Sequence, residues 1–419
     1  MELTWPQLVT VRENFVREIR EGLSRESKSS MAMVPSLVTA LPSGDEVGEC
    51  VALDIGGSNL RVLLVRLRGQ GAFETLAVVK KSISPELQSG DGVALFDFIA
   101  AAVKELLDQV PQVAKGEVQL GFTFSFPLQQ LAINSGVLTK WTKGFSASGV
   151  VGQDVCALLA ASFERLGLKV RVAALLNDTV GTMITGCYEQ RTQEATEAGC
   201  IIGLILGTGT NACYWEQRDS ITKLDATTAA TAQGMVINME CGNFGSRADR
   251  IGLDLPLTAY DAQLNAESKN KDAQLIEKQI SGMYLGEIVR LVLRKAMAQG
   301  KLFASSTAAL ATPYAFTTEM LAQIEADTAH DMPNTADILS ALGVVPSTLS
   351  ERLFGPSSPS SCSSSSLASH RLLSPLSAPG REPGGASIGA SGSGEGSGDY
   401  ASDRPQGLEC AGGGRWVAV

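Results

Sequence analysis

Residue types that build metal sites and nucleophilic triads are scarce or scattered in this 419-residue sequence. It has only two histidines, His330 and His370, and neither lies near another candidate ligand or nucleophile in the sequence. This argues against a Ser-His-Asp triad and a histidine-rich metal site. The eight cysteines occur singly, with no Cys-x-x-Cys pair, which argues against a zinc cage and a disulfide framework. We expect reduced thiols, most of them buried.

The sequence also lacks a basic balance and a long apolar run. Its formal net charge is −10, so we expect no nucleic-acid partner. No apolar run is long enough for a membrane-spanning helix, and the first residues lack the apolar core of a signal peptide. We therefore expect a cytoplasmic protein without a membrane span.

A glycine-rich stretch at 51–65, VALDIGGSNLRVLLV, organises the sequence. Two apolar β-type runs flank Gly56 and Gly57, which predicts two strands and a tight turn, because glycine adopts positive φ without steric cost. Such a turn points backbone N–H groups outward, so phosphate is the expected guest. Asp54 ends the first strand, where it could hold a metal or an ordered water. Taken alone, an ordinary β-turn with a capping aspartate explains the stretch equally well.

A second glycine-rich stretch, at 199–215, has the same form. Gly207, Gly209 and Ala212 satisfy the G-x-G-x-x-A dinucleotide fingerprint, but that fingerprint requires a helix next. The residues that follow, Asn211–Trp215, predict a strand instead. Two strand-turn-strand units, one in each half of the chain, favour a two-lobed nucleotide clamp over a Rossmann fold.

Polar residues follow two predicted strands. Ser125 ends a strand within 117–128, and Asp178 follows a strand at 170–176. A carboxylate that is fixed at a strand end and open to a cleft suits a general base. For Asp178 a helix N-cap is the alternative, and both can be true together.

Two later regions complete the pattern. Residues 272–298 predict a long helix region, in which Glu277 alone would be interpreted as a solvated charge. From about Pro356 the sequence is dominated by Ser, Gly, Pro and Ala. Such a segment cannot bury enough apolar surface to offset its ordering entropy, so we expect a disordered tail.

Taken together, these segments resemble the eukaryotic hexokinase family. The matching stretches occur in the family's order up to about residue 354, and they are LDIGGSNLRV (53–62), GFTFSFP (121–127), WTKGF (141–145), NDTVGTM (177–183), ILGTGTNACY (205–214), NMECGNFG (238–245) and EKQISGMYLGEIVR (277–290). The resemblance implies an α/β, two-lobed fold of the ribonuclease-H-like, actin-like ATPase type. It implies an N-terminal helix and linker at 1–43, a small lobe at 44–177, a large lobe at 178–355 and the tail at 356–419.

The resemblance also implies an activity, the transfer of the γ-phosphoryl group of MgATP to the 6-hydroxyl of glucose or a related hexose. Asp178 would be the general base. The residues expected around the sugar are Ser125, Phe126, Thr142, Lys143, Asn177, Asp178, Asn211, Glu240 and Glu277. Those expected around ATP are Asp54, Gly56, Gly57, Ser58, Asn59, Arg61, Gly207, Thr208, Gly209 and Thr318. We expect no direct protein ligand for Mg²⁺, which would arrive with ATP near Asp54.

The sequence departs from the family in two places. Ser58 stands where the family usually has threonine, which keeps the hydroxyl. The tail stands where members of the family continue with further strands and helices of the large lobe and a glycine-rich turn against adenosine. The alternatives are therefore a catalytically impaired sugar-binding or regulatory protein and an actin-like ATPase without sugar dependence. The expected sugar contacts argue against the second.

Overall fold

Two five-stranded sheets, a two-stranded sheet and the helices around them make up the part of the chain that the structure describes. The computed structural model describes residues 3–57, 59–111, 116–189, 200–224, 232–300, 308–344 and 417–418. The strands are β1 (Val34–Pro35), β2 (Val47–Ile55), β3 (Asn59–Arg68), β4 (Phe73–Ser82), β5 (Val118–Phe124), β6 (Leu128–Ala132), β7 (Ser135–Leu138), β8 (Val170–Leu176), β9 (Ile202–Leu206), β10 (Thr210–Gln217), β11 (Gly234–Asn238) and β12 (Val417–Ala418). The helices are α1 (Trp5–Gly22), α2 (Pro85–Ser89), α3 (Gly92–Gln109), α4 (Val155–Arg165), α5 (Asp178–Glu189), α6 (Ala259–Glu267), α7 (Leu275–Ile280), α8 (Leu285–Ala298), α9 (Ala308–Ala311), α10 (Thr318–Glu325) and α11 (Pro333–Ala341).

The first sheet has the strand order β4-β3-β2-β5-β8. Strands β2, β3 and β4 form an antiparallel meander, while β5 and β8 run parallel to β2. Buried residues alternate along β2 and β5, because one face of a pleated strand meets the core. Leu53 and Phe122 from the strands pack in one core with Phe96 of α3 and Phe163 of α4. The C-terminal ends of β5 and β8 therefore have fixed positions.

The second sheet has the order β1-β11-β10-β9-β12. Strands β9, β10 and β11 form an antiparallel meander like that of β2, β3 and β4, and β12 runs parallel to β9. Helix α5 packs on β9, where a Cβ atom at Gly203 would come within 2.3 Å of the Thr179 carbonyl oxygen. Only glycine lets the helix approach the strand this closely.

Helix α1, which lies within the N-terminal helix and linker expected at 1–43, packs against the half of the chain that holds the second sheet. Phe15 meets Phe244 edge to face, with ring centroids 5.0 Å apart. The fully buried carboxylate of Glu18 accepts hydrogen bonds from the Ser29 hydroxyl and the Ser30 amide and hydroxyl, so the chain after the helix is fixed as well. In the part of the chain that the structure describes, no helix combines the length and apolar character needed to cross a bilayer.

The single long helix region predicted at 272–298 is wrong, because α7 and α8 are separated at 281–284. There the Gly282 N–H donates to the Gly207 carbonyl oxygen at 2.8 Å, and the Met283 N–H donates to that of Thr208 at 3.1 Å. These amides bind the second glycine turn instead of helix carbonyls. The break therefore places the turn directly in front of α8.

The tail predicted to be disordered lies outside the described residues, apart from Val417 and Ala418. Ser58 lies outside them too. None of the six described cysteines forms a disulfide with another described residue, and four of the six are buried.

Candidate active site

Carboxylates from both halves of the chain share one site. Asp54 ends β2, Asp178 begins α5, Glu240 follows β11 and Glu277 lies in α7. The charge of Asp178 acts on both Asp54 and Glu240, and that of Glu240 acts on Glu277. Like charges this close repel one another unless a ligand or a cation compensates them.

Burial is the main influence on three of these carboxylates. It raises the pKa of Asp54, Glu240 and Glu277 above their ordinary values. The charge of Asp178 raises the pKa of Asp54 and Glu240 further, while the cation of Lys143 lowers the pKa of all three. Lys143 is therefore a cation that stabilises the charged form of all three carboxylates.

An aromatic cluster fixes the loop that carries Lys143. Trp141 stacks on Phe145 with ring centroids 5.2 Å apart, and its indole N–H donates to the Ala147 carbonyl oxygen at 2.8 Å. The Lys143 ammonium lies 5.6 Å from the ring centroid of Phe126. The predicted group Ser125, Phe126, Thr142 and Lys143 is thus held together beyond the end of β5.

Asp178 and Asn177 lie where β8 ends and α5 begins. The Asn177 Oδ1 atom accepts the Thr179 N–H at 3.0 Å and the Thr179 hydroxyl at 2.7 Å, so Asn177 caps the helix. The same N–H also lies 2.9 Å from Oδ1 of Asp178. The N-cap interpretation of Asp178 is therefore only partly right, because Asn177 makes the larger share of the cap.

A chain of amides connects Asn177 to Glu240. The Asn211 amide nitrogen donates to Oδ1 of Asn238 at 2.8 Å and of Asn177 at 3.3 Å. The Asn238 amide nitrogen in turn donates to Oε1 of Glu240 at 2.8 Å. Sequence reasoning did not select Asn238; its place directly at the end of β11, two residues before Glu240, is the signal that could have done so.

Glu277 is a half-buried hydrogen-bond acceptor, so its interpretation as a solvated charge is wrong. Its Oε2 atom accepts the Thr210 N–H at 2.8 Å, and its Oε1 atom accepts from the Gln274 amide nitrogen at 2.8 Å. A Cβ atom at Gly209 would lie 2.7 Å from Oε2, and one at Gly242 would lie 3.1 Å from it. Sequence reasoning missed Gln274, which lies one helical turn before Glu277.

Both glycine turns form as predicted, but not with the predicted backbone. The Gly56 N–H donates to the Asn59 carbonyl oxygen at 3.0 Å, and the Gly207 N–H to that of Gly209 at 2.9 Å. The expected positive φ at Gly56 and Gly57 is wrong, since neither lies in the left-handed region. Close packing explains the need for glycine better than positive φ does. At Gly209, a Cβ atom would come too near to Glu277.

The other residues predicted around ATP lie near these two turns. Arg61 is the cross-strand partner of Asp54, and its charge lowers the pKa of that carboxyl. The Thr208 carbonyl oxygen accepts the Met283 N–H, as described for the break before α8. The Thr318 hydroxyl accepts the Gly286 N–H at 2.9 Å, which ties α10 to the first turn of α8. A contact between Thr318 and a nucleotide stays a prediction.

The site thus combines two chemical surfaces. Carboxylates and amides that converge from several elements can accept and donate hydrogen bonds to a polyol. Two glycine turns with small side chains can admit an anion close to backbone amides. The charge of Asp178 acts on both surfaces, since it raises the pKa of Asp54 beside the first turn and that of Glu240 in the amide chain.

Comparison with known proteins gives consistent matches. Two hexokinase family models match residues 1–188 and residues 201–354. Hexokinase-1 of Oryza sativa subsp. japonica is 42% identical over 333 residues, which cover 78% of this chain and 64% of that protein. Hexokinase-2 of the same plant is 41% identical over 357 residues, which cover 83% of this chain and 69% of that protein. The chain thus spans only about 64% of the length of several curated relatives.

Two solved hexokinase structures are similar to this protein as well. A hexokinase from Schistosoma mansoni, complexed with glucose, superposes with a TM-score of 0.70 at 34% identity, covering 84% of this chain and 78% of that one. A second hexokinase crystal structure superposes with a TM-score of 0.64 at 30% identity. The expected two-lobed α/β fold of hexokinase type is confirmed. The chain belongs to the hexokinase family.

Proposed function

We propose that this chain is an ATP-dependent hexokinase, which transfers the γ-phosphoryl group of MgATP to the 6-hydroxyl of glucose or a related hexose. One observation carries the proposal. The Asn211 amide nitrogen in β10 of the second sheet donates to Oδ1 of Asn177 at 3.3 Å, directly after β8 of the first sheet and next to Asp178. A single site therefore spans both halves, with a glycine turn on either side.

The carboxylate cluster is better suited to binding a sugar than to binding water alone. Burial and mutual repulsion raise the pKa of Glu240 and Glu277, which means that their charges are poorly compensated without a ligand. Sugar hydroxyls can donate hydrogen bonds to these carboxylates, while the amides of Asn177 and Asn211 can serve as donors and acceptors. Binding a polyol would thus supply hydrogen-bond donors to carboxylates whose charged forms are disfavoured by burial.

Asp178 is the residue best placed to act as the general base. In the proposed step its carboxylate takes the proton of the sugar 6-hydroxyl while that oxygen forms a bond to the γ-phosphorus atom. The bond from that phosphorus to the leaving oxygen of ADP breaks at the same time. The protein forms no covalent bond, because phosphoryl transfer depends on positioning and charge stabilisation.

The triphosphate would lie between the two glycine turns. Their backbone amides suit phosphate oxygens, and Mg²⁺ enters as part of the substrate MgATP and neutralises phosphate charge. Asp54 is the carboxylate nearest the first turn, and Arg61 faces it across the strand pair. Closure of the lobes would exclude water, which otherwise competes with the sugar as the nucleophile. The lobe boundaries at 44–177 and 178–355 and a cytoplasmic location belong to the same proposal.

A coupled assay for glucose-dependent ADP release by the full 419-residue chain tests the proposal. We expect ADP release that requires glucose and yields a hexose 6-phosphate, identified by phosphorus NMR. Glucose-induced thermal stabilisation without ADP release would favour the impaired sugar-binding alternative. ADP release that is equal with and without glucose would favour an ATPase. Nothing in the site favours either alternative.

A further inference from the structure

The turn that leads into α7 holds two residues in a strained backbone conformation. Asp272 has a φ of 63° and Gln274 a φ of 55°, in the left-handed region that residues with a Cβ atom rarely adopt. Strain of this kind persists only where the surrounding contacts fix it. Gln274 is also the residue whose side-chain amide donates to Oε1 of Glu277. The strained turn therefore bears directly on the candidate active site.

Lys278, the residue after Glu277, is a buried cation that supports this turn. It is only 3% exposed, and its ammonium group donates to Oδ1 of Asn265 at 2.9 Å and to the Asn270 carbonyl oxygen at 2.8 Å. Lysine is rarely buried to this extent. Both of these acceptors are neutral, and burial lowers the pKa of Lys278 to about 8, so the charge is held here at a cost in free energy. Such a cost is typical of functional sites.

The two acceptors of Lys278 connect it to the two strained residues. Asn265 in α6 accepts the Asp272 N–H at 2.9 Å and donates to Oδ1 of Asp272 at 2.8 Å. The Asn270 amide nitrogen donates to Oε1 of Gln274 at 2.6 Å. Because Asn270 holds the oxygen of the Gln274 amide, the nitrogen of that amide is directed at Glu277. The hydrogen bonds thus form a continuous path from Lys278 to the Glu277 carboxylate.

We propose that Lys278 is a positioning residue for sugar binding, which acts through Asn270 and Gln274 on the carboxylate of Glu277. The inference rests on the proposed function, in which Glu277 accepts a hydrogen bond from a sugar hydroxyl. Lys278 spends its own hydrogen bonds on α6 and on the turn before α7, and so it acts through other residues. Fixing the carboxylate before the sugar arrives lowers the ordering cost of binding.

Calorimetry of glucose binding to the full chain at pH 7, without nucleotide, tests the inference. Lys278→Met keeps much of the apolar part of the side chain but removes the ammonium group. We expect the glucose Kd to rise at least about threefold, which corresponds to an ordinary hydrogen bond. The matched control is Lys295→Met. Lys295 in α8 is exposed and also packs on α6, with its ammonium 5.1 Å from the ring centroid of Tyr260, and its loss should leave the Kd unchanged.

A double-mutant cycle distinguishes positioning from a general loss of stability. Gln274→Leu removes the amide that connects Asn270 to Glu277. If Lys278 acts along this path, adding Lys278→Met to Gln274→Leu should cause no further loss of glucose affinity. A purely structural role of Lys278 would instead give losses that add.

Several results would overturn the inference. One is a Kd of Lys278→Met that rises less than about threefold, and another is an equal loss in Lys295→Met. Additive losses in the double variant would do the same. If Lys278→Met does not fold, Asn270→Ala at a half-buried position decides: its Kd should rise at least about threefold, and an unchanged Kd refutes the path. A parent chain that binds no glucose would contradict the proposed function, and the inference with it.

Discussion

Gly209→Ala should selectively weaken sugar binding, although residue 209 is expected to lie beside phosphate. The added Cβ atom would lie 2.7 Å from Oε2 of Glu277, closer than these atoms can approach. The Gln274 amide restrains the carboxylate through its other oxygen, and the side chain of Glu277 already lies close to Gly242, where an added Cβ atom would come within 3.1 Å of Oε2. Glu277 must therefore give up its hydrogen bond from the Thr210 N–H.

The size of the effect follows from the hydrogen bond to a sugar hydroxyl that a displaced Glu277 carboxylate would no longer make. A hydrogen bond to a charged group contributes about 1.5–3 kcal/mol, which corresponds to about 10- to 150-fold in affinity. We therefore expect the glucose Kd of Gly209→Ala, measured by calorimetry without nucleotide, to rise within that range. The matched control is Gly207→Ala on the same turn, where the nearest atom to the new Cβ would be 3.9 Å away. The reasoning is refuted if Gly209→Ala binds glucose within about threefold of the parent, or if the control loses as much affinity.

Two further predictions concern stability. Burial raises the pKa of Glu240, so its charge destabilises the folded protein above that raised pKa, and this cost vanishes as pH falls below the unfolded value. Glu240→Gln should therefore raise the Tm of the sugar-free protein at pH 7 by about 2 °C or more, and the gain should disappear near about pH 4; an unchanged Tm at pH 7 would count against it. Arg290 and Glu287 are 0% and 2% exposed in their side chains and form a paired contact in α8. Arg290→Met leaves the Glu287 charge unpaired and should cost about 3–5 kcal/mol in urea unfolding, whereas a loss below about 1 kcal/mol would contradict this reasoning.

Local patterns in the sequence were enough to locate much of the site. The apolar β-type runs on both sides of Gly56 and Gly207 predict two hairpins, and both are present. The position of Asp178 after an apolar strand likewise predicts a carboxylate at a strand end. These features depend on residues that are neighbours in the chain, so a sequence reveals them.

Features that depend on distant contacts could not be predicted in this way. The break between α7 and α8 exists because Gly282 and Met283 bind the second glycine turn, more than seventy positions earlier in the chain. The acceptor role of Glu277 depends on a distant contact as well, since it is visible only once Thr210 lies beside it. The amide chain through Asn238 also joins separate strands. Helical periodicity carries no information about such contacts.

The most direct test of the central claim compares catalysis and sugar binding in Asp178→Asn. This change keeps the shape of the side chain but removes the proposed base, whose contribution to rate is typically about 10²- to 10⁴-fold. The account predicts a fall in kcat for glucose-dependent ADP release within that range, with a glucose Kd within about tenfold of the parent, since one hydrogen-bonding group is replaced by another. A kcat within about tenfold of the parent would contradict the assignment of Asp178 as the general base.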